Sequence, residues 1–98
     1  VGSNGNSGAN PLGLAVVSLN DEMARAAGVD GGVLVSGVGQ GAAYEAGIRP
    51  RDIITEINRK QVRSVDEFRK VVAGLPDNRA VSVRIVRQGR AIYLVMKP

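Results

Sequence analysis

Apolar and polar positions change places along this chain in short runs, and most runs carry the period of two expected of strands. Residues 14–19 (Leu-Ala-Val-Val-Ser-Leu) are largely apolar and read as a first strand. Asn20 or Asp21 can cap a short helix over residues 22–27, ended by Gly28. Gly31 and Gly32 release a second strand, Val33-Leu34-Val35-Ser36, and a glycine-broken loop leads to a short helix over residues 42–46, stopped by Gly47. Pro50 and Asp52 introduce a strand over residues 53–57, which a polar turn at residues 58–61 closes.

The clearest helix follows. Ser64-Val65-Asp66-Glu67 has the form of a capping box, in which Ser64 accepts from the Glu67 N–H and the Glu67 carboxylate reaches back to Ser64. The helix should run to Ala73 and end at Gly74 and Pro76. Val65, Arg69 and Val72 share one of its faces, and Phe68, Val71 and Leu75 another. Val81, Val83 and Ile85 then alternate with Ser82, Arg84 and Val86, and Gln88-Gly89 is a tight turn into a last strand over residues 91–96. The sum is an α+β, mainly β fold: a five-stranded, partly open barrel or sandwich capped by two or three helices. Residues 1–10, all Gly, Asn and Ser but for Val1 and Ala9, read as a flexible linker or expression remnant, with one domain over residues 11–98.

Composition removes whole classes of chemistry. The 98 residues include no cysteine and no histidine, so neither a thiolate nucleophile nor a Ser-His-Asp triad can be assembled from them. No apolar run approaches the roughly 18–20 residues that cross a bilayer, and no signal-peptide series is visible. The net charge of +4 invites a nucleic-acid reading. Against it, Tyr44, Tyr93 and Phe68 are the only aromatics, and the basic residues are scattered from Arg49 to Arg90. A solvated basic surface is the better explanation, and no nucleic-acid partner is expected.

Three local patterns tempt and fail. Gly37-Val38-Gly39-Gln40-Gly41 lies between a strand and a helix, but its spacing is not that of a dinucleotide loop and the helix lasts barely one turn. It reads as a mobile glycine turn. Ser36, Ser64 and Ser82 coexist with Lys60 and Lys70 without any spacing that pairs them. Asp66 and Glu67 are first-turn helix residues, where negative charge suits the helix dipole. No catalytic residue, metal site or cofactor is expected.

One pattern carries function. In Pro11-Leu12-Gly13-Leu14 the glycine lets successive N–H groups converge into a nest that suits a carboxylate, and the strand that follows has an edge to offer. The other motifs complete the picture: Gly32-Val33-Leu34-Val35-Ser36, Ala42-Ala43-Tyr44-Glu45-Ala46-Gly47-Ile48, Arg49-Pro50-Arg51-Asp52-Ile53-Ile54 and Ile57-Asn58. Together they resemble a PDZ domain across residues 11–97. The carboxylate loop comes first and a strand hairpin closes the chain, as in the circularly permuted bacterial form. The helix after the first strand is similar to that of HtrA/Deg-type (DegP-like) serine proteases. The ending Arg87-Gln88-Gly89-Arg90-Ala91-Ile92-Tyr93-Leu94 resembles their second, C-terminal PDZ domain.

That resemblance implies a non-catalytic module of a periplasmic protein-quality-control protease, binding C-termini or extended segments of misfolded proteins by strand addition. The peptide would lie between residues 14–17 and the helix over residues 65–73. It implies a peptide site of Leu12, Gly13, Leu14, Ala15, Val16, Val65, Arg69 and Val72: the N–H groups of residues 12–14 for the terminal carboxylate, and Leu12, Leu14, Val16 and Val72 for the last side chain. Val65 would meet an apolar residue two places earlier, and Arg69 an acidic side chain. The alternative is a structural domain that docks on neighbouring protease or PDZ domains and builds the oligomer. Arg51 and Arg59 stand where such domains usually have glycine, so positive φ at either would strain the backbone. Pro11 leaves no basic residue before the loop to neutralise a ligand carboxylate.

Overall fold

The computed structural model describes residues 13–39, 41–75 and 79–97. The linker expected over residues 1–10, together with Pro11, Leu12, Gln40 and Pro76, lies outside the described residues. The elements run β1 (Leu14–Ser18), α1 (Asp21–Ala27), β2 (Val33–Val38), α2 (Ala42–Ala46), β3 (Ile53–Ile57), β4 (Lys60–Gln61), α3 (Val65–Ala73), β5 (Val81–Arg87) and β6 (Arg90–Met96). All strands join one antiparallel sheet in the order β1-β2-β3-β5-β6, with β4 paired to β3, and it does not close: β1 and β6 lie at opposite ends of the order.

The sixth strand corrects the expected five. Asn58 and Arg59 both have positive φ, 55° and 68°, the requirement of a type I′ hairpin turn, so Lys60 and Gln61 fold back beside Ile57 and Glu56. Gln88 and Gly89, at φ 53° and 79°, make the same kind of turn between β5 and β6. The strain expected at Arg51 and Arg59 is present, with Arg51 at φ 79°. Gly32 has a different need. At φ 153° it passes so close to β3 that a Cβ would stand 2.7 Å from the Ile54 carbonyl oxygen.

Alternation sends Leu14, Val16, Val33, Val35, Ile54, Ile57, Val81, Val83 and Ile85 to one face, where they form the core with Phe68 and Val72 of α3 and Ala43 and Ile48 around α2. Two bulges interrupt the register, at Ser36 on β2 and at Thr55 on β3. In each, the hydroxyl of the extra residue donates to a carbonyl of the partner strand: Ser36 Oγ to Ala15 at 3.1 Å, Thr55 Oγ1 to Arg84 at 3.2 Å. Hydroxyl residues at both positions thus keep the strands together where the ladder is broken.

Two expectations about α3 change. Ser64 Oγ accepts from the Glu67 N–H at 3.1 Å, but the Glu67 carboxylate reaches one residue further back, to the Arg63 N–H at 2.8 Å, not to Ser64. The tidy division of faces also fails: one residue from each, Val72 and Phe68, is buried, while Val65, Val71 and Leu75 are half-buried around them. α3 packs beside β1, and its buried stripe falls between the two faces that spacing defines.

A buried carboxylate locks the approach to β3. Asp52, 2% exposed, accepts from the Arg49 N–H at 2.9 Å and takes a bidentate contact from Arg87 of β5, at 2.8 and 2.6 Å. Arg87 also donates to the Gly47 carbonyl at 3.0 Å, joining the end of α2 to β5. Hydrogen bonding to Asp52 holds the Arg87 guanidinium above its ordinary pKa, against a smaller lowering by burial. Arg87 is therefore a structural residue, not one of the scattered surface cations.

Candidate functional site

The site expected from the sequence gathers where β1 meets α3. β1 ends the strand order, pairing with β2 alone among the described residues, and α3 packs beside it. An edge strand next to a helix is a shape into which one more strand fits. Gly13 opens β1 with φ 75°, the left-handed turn that a backbone nest needs. Its carbonyl accepts from the Gly39 N–H at 2.8 Å, which ties the loop to the end of β2. That contact, and the run of β2 through Val38, convert part of the expected mobile glycine turn into ordered structure. Nothing in the local sequence distinguishes Gly39 from a loop glycine; its partner is 26 residues away in the chain.

The named residues divide by depth. Leu14 is fully buried, and Val16 and Val72 are 6% and 7% exposed, so the three make a floor continuous with the core. Val65 is half-buried against that cluster, and Arg69 is exposed one helical turn further along α3. Ala15 is half-buried on the other face of β1, with its carbonyl held by Ser36. Leu12 lies outside the described residues. Successive residues of a strand direct their backbone polar groups to opposite edges. Since the carbonyls of Gly13 and Ala15 face β2, those of Val16 face the open edge. The Val16 carbonyl is therefore turned to the edge that an added strand would use.

Among the described residues no group of three or more His, Cys, Asp or Glu side chains is placed to hold a metal ion. No helix among them is long and apolar enough to cross a membrane.

An edge strand opened by a left-handed glycine and flanked by a helix is the shape of a peptide-binding type of module, and the comparison with known proteins agrees. The chain belongs to the PDZ domain family, whose profile matches residues 34–87. It is 44% identical over 88 residues to a probable periplasmic serine endoprotease, DegP-like, of Pseudomonas fluorescens, covering 90% of this chain and 18% of the relative. A protein of the same description from Hahella chejuensis is 43% identical, with 90% and 19% covered. The chain thus spans about a fifth of the length of these relatives. Among solved structures, the HtrA-type protease AlgW with a decapeptide superposes with a TM-score of 0.75 at 27% identity, over 88% of this chain and 27% of that one. The HtrA3 PDZ domain bound to a phage-derived ligand has a TM-score of 0.74 over 89% of this chain and 82% of its own, and at 17% identity it speaks for the fold alone. What the chain contains is a PDZ domain; a protease catalytic domain is not among its 98 residues.

Proposed function

We propose that this PDZ domain is the substrate-capturing module of a periplasmic DegP-like serine endoprotease, and that it takes the C-terminal end of an unfolded polypeptide as an added strand on β1. The observation that carries the reading is the position of β1 at the sheet edge beside α3, opened by Gly13 at φ 75°. The loop of residues 12–14 receives the terminal carboxylate. The last apolar side chain lies over Leu14, Val16 and Val72, and Arg69 favours an acidic residue further back. Both the periplasmic setting and the place in a protease follow from the names of its relatives. Peptide-bound HtrA-type neighbours support the mode of binding.

Affinity should be modest. Burying one apolar side chain contributes roughly 1.5–3 kcal/mol, and ordering a flexible peptide consumes part of it, so a micromolar or weaker Kd is expected. A nuclear magnetic resonance titration of the labelled domain tests this, using peptides with apolar C-termini and their amidated controls. Saturable shifts at residues 13–16 and 65–72 that vanish on amidation are the expected result. Silence at millimolar peptide would overturn capture and leave oligomer assembly as the role of the domain. Arg69→Glu should reverse the preference between peptides with acidic and basic residues before the terminus; an unchanged preference would remove Arg69 from the site.

A further inference from the structure

The sheet face turned away from the main core carries a row of apolar side chains, of which Leu34 is half-buried while Ile53 and Val86 are 7% and 4% exposed. Leu34 of β2 stands opposite Ile53 of β3, and Ile53 opposite Val86 of β5, so the three side chains form one row across three strands. Their neighbours Val33, Ile54 and Ile85 point to the core, which places this row on the opposite face. Beside it α1 contributes Met23, Ala26 and Ala27, and the open cleft between them has a volume of about 520 Å³. That volume falls within the range of ligand sites. α1 buries none of its own residues and lines one side of the cleft.

The polar rim is equally informative. Arg51 and Gln88 line the cleft, and no carboxylate does. The Arg51 side chain is in no ion pair among the described residues, whose one salt bridge joins Arg87 and Asp52. Gln88 presents an amide with both donors and an acceptor, the complement of a peptide group and of no use to a hydrocarbon chain. Both rim residues hold positive φ, 79° and 53°, where glycine would sit with less strain.

We propose that this cleft is a second binding site, separate from the β1–α3 groove, for an internal polypeptide segment that carries a large apolar side chain next to an acidic one. The apolar side chain packs on the half-buried Leu34 and Met23, the carboxylate meets Arg51, and Gln88 pairs with the segment's backbone. The site does not depend on a free carboxyl terminus, so it is occupied independently of the groove.

A peptide blocked at both ends, acetyl-Gly-Leu-Phe-Glu-Gly-amide, tests the proposal by titration into the labelled 98-residue chain, beside the same peptide with Lys for Glu. Saturable shifts at Ala26, Leu34, Ile53 and Val86, with Ala15 and Val16 unmoved, are expected. The Lys peptide should bind about fivefold more weakly. Arg51→Gly relieves backbone strain and therefore folds; it should erase that difference, weakening the Glu peptide and removing the repulsion of the Lys peptide. Shifts confined to β1 and α3, equal binding of the two peptides, or no saturation at millimolar peptide would each overturn the proposal. So would laurate occupying the cleft while the Glu peptide does not, since the occupant would then be an acyl chain.

Discussion

α1 and α3 begin alike and end up with different parts in the molecule. Each opens on a polar side chain that accepts from the third residue of the helix: Asn20 Oδ1 from the Met23 N–H at 2.8 Å, and Ser64 Oγ from the Glu67 N–H at 3.1 Å. Each has two acidic residues in its first turn. Yet α3 sinks Phe68 and Val72 into the core, and α1 buries nothing. A cap decides where a helix starts; buried side chains decide whether the rest of the fold depends on it. α3 is consequently a fixed wall of the β1 groove, whereas α1 flanks its cleft as an element held mainly by its own ends, with Gly28 at φ 73° closing it.

The sharpest test of this contrast removes the α3 anchor. Phe68 is 2% exposed in the centre of the cluster, and Phe68→Ala should cost about 3–5 kcal/mol in urea unfolding. That is a large share of the about 5–15 kcal/mol that holds a domain together. Met23→Ala on α1, where the side chain is only half-buried, should cost less than about 1 kcal/mol. Equal costs would mean that α1 is as much part of the core as α3.

The caps come next in size. Ser64→Ala should lower global stability by about 1 kcal/mol, because α3 unfolds only with the core. Asn20→Ala removes a similar local energy, but the loss should show as faster amide exchange confined to α1, with a smaller change in the global midpoint. Exchange that quickens across the whole sheet in the Asn20 variant would break the comparison.

The smallest effect should be a gain. Arg51→Gly relieves a φ of 79° on an exposed side chain. The left-handed conformation costs about 1–2 kcal/mol for a residue with a Cβ, and glycine's extra freedom in the unfolded chain offsets part of that. Thermal unfolding should rise by the equivalent of about 0.5–1 kcal/mol. A loss of stability instead would mean that the Arg51 side chain contributes contacts that outweigh the strain.

Much of this molecule is determined by its sequence alone, because the deciding forces act over a few residues. The alternation of Val81, Val83 and Ile85, the Gln88-Gly89 turn, the bounds of α2 and the caps at Asn20 and Ser64 are all local chemistry, and the structure has them where the residues call for them. The strain at Arg51 and Arg59 was legible only through the resemblance, which puts glycine at both positions. What only the tertiary structure decided depends on how these local pieces meet. Val72 rather than Val71 is buried because of how α3 lies on β1. The Glu67 carboxylate accepts from the Arg63 N–H, not from that of Ser64. β4 forms because the hairpin turn delivers two polar residues to an open stretch of β3. Arg87, one more surface cation by its spelling, is drawn to Asp52, 35 residues away. The row of Leu34, Ile53 and Val86 exists only after three strands have been brought into register. Periodicity names the face of a strand, and pairing between strands decides which faces become one surface.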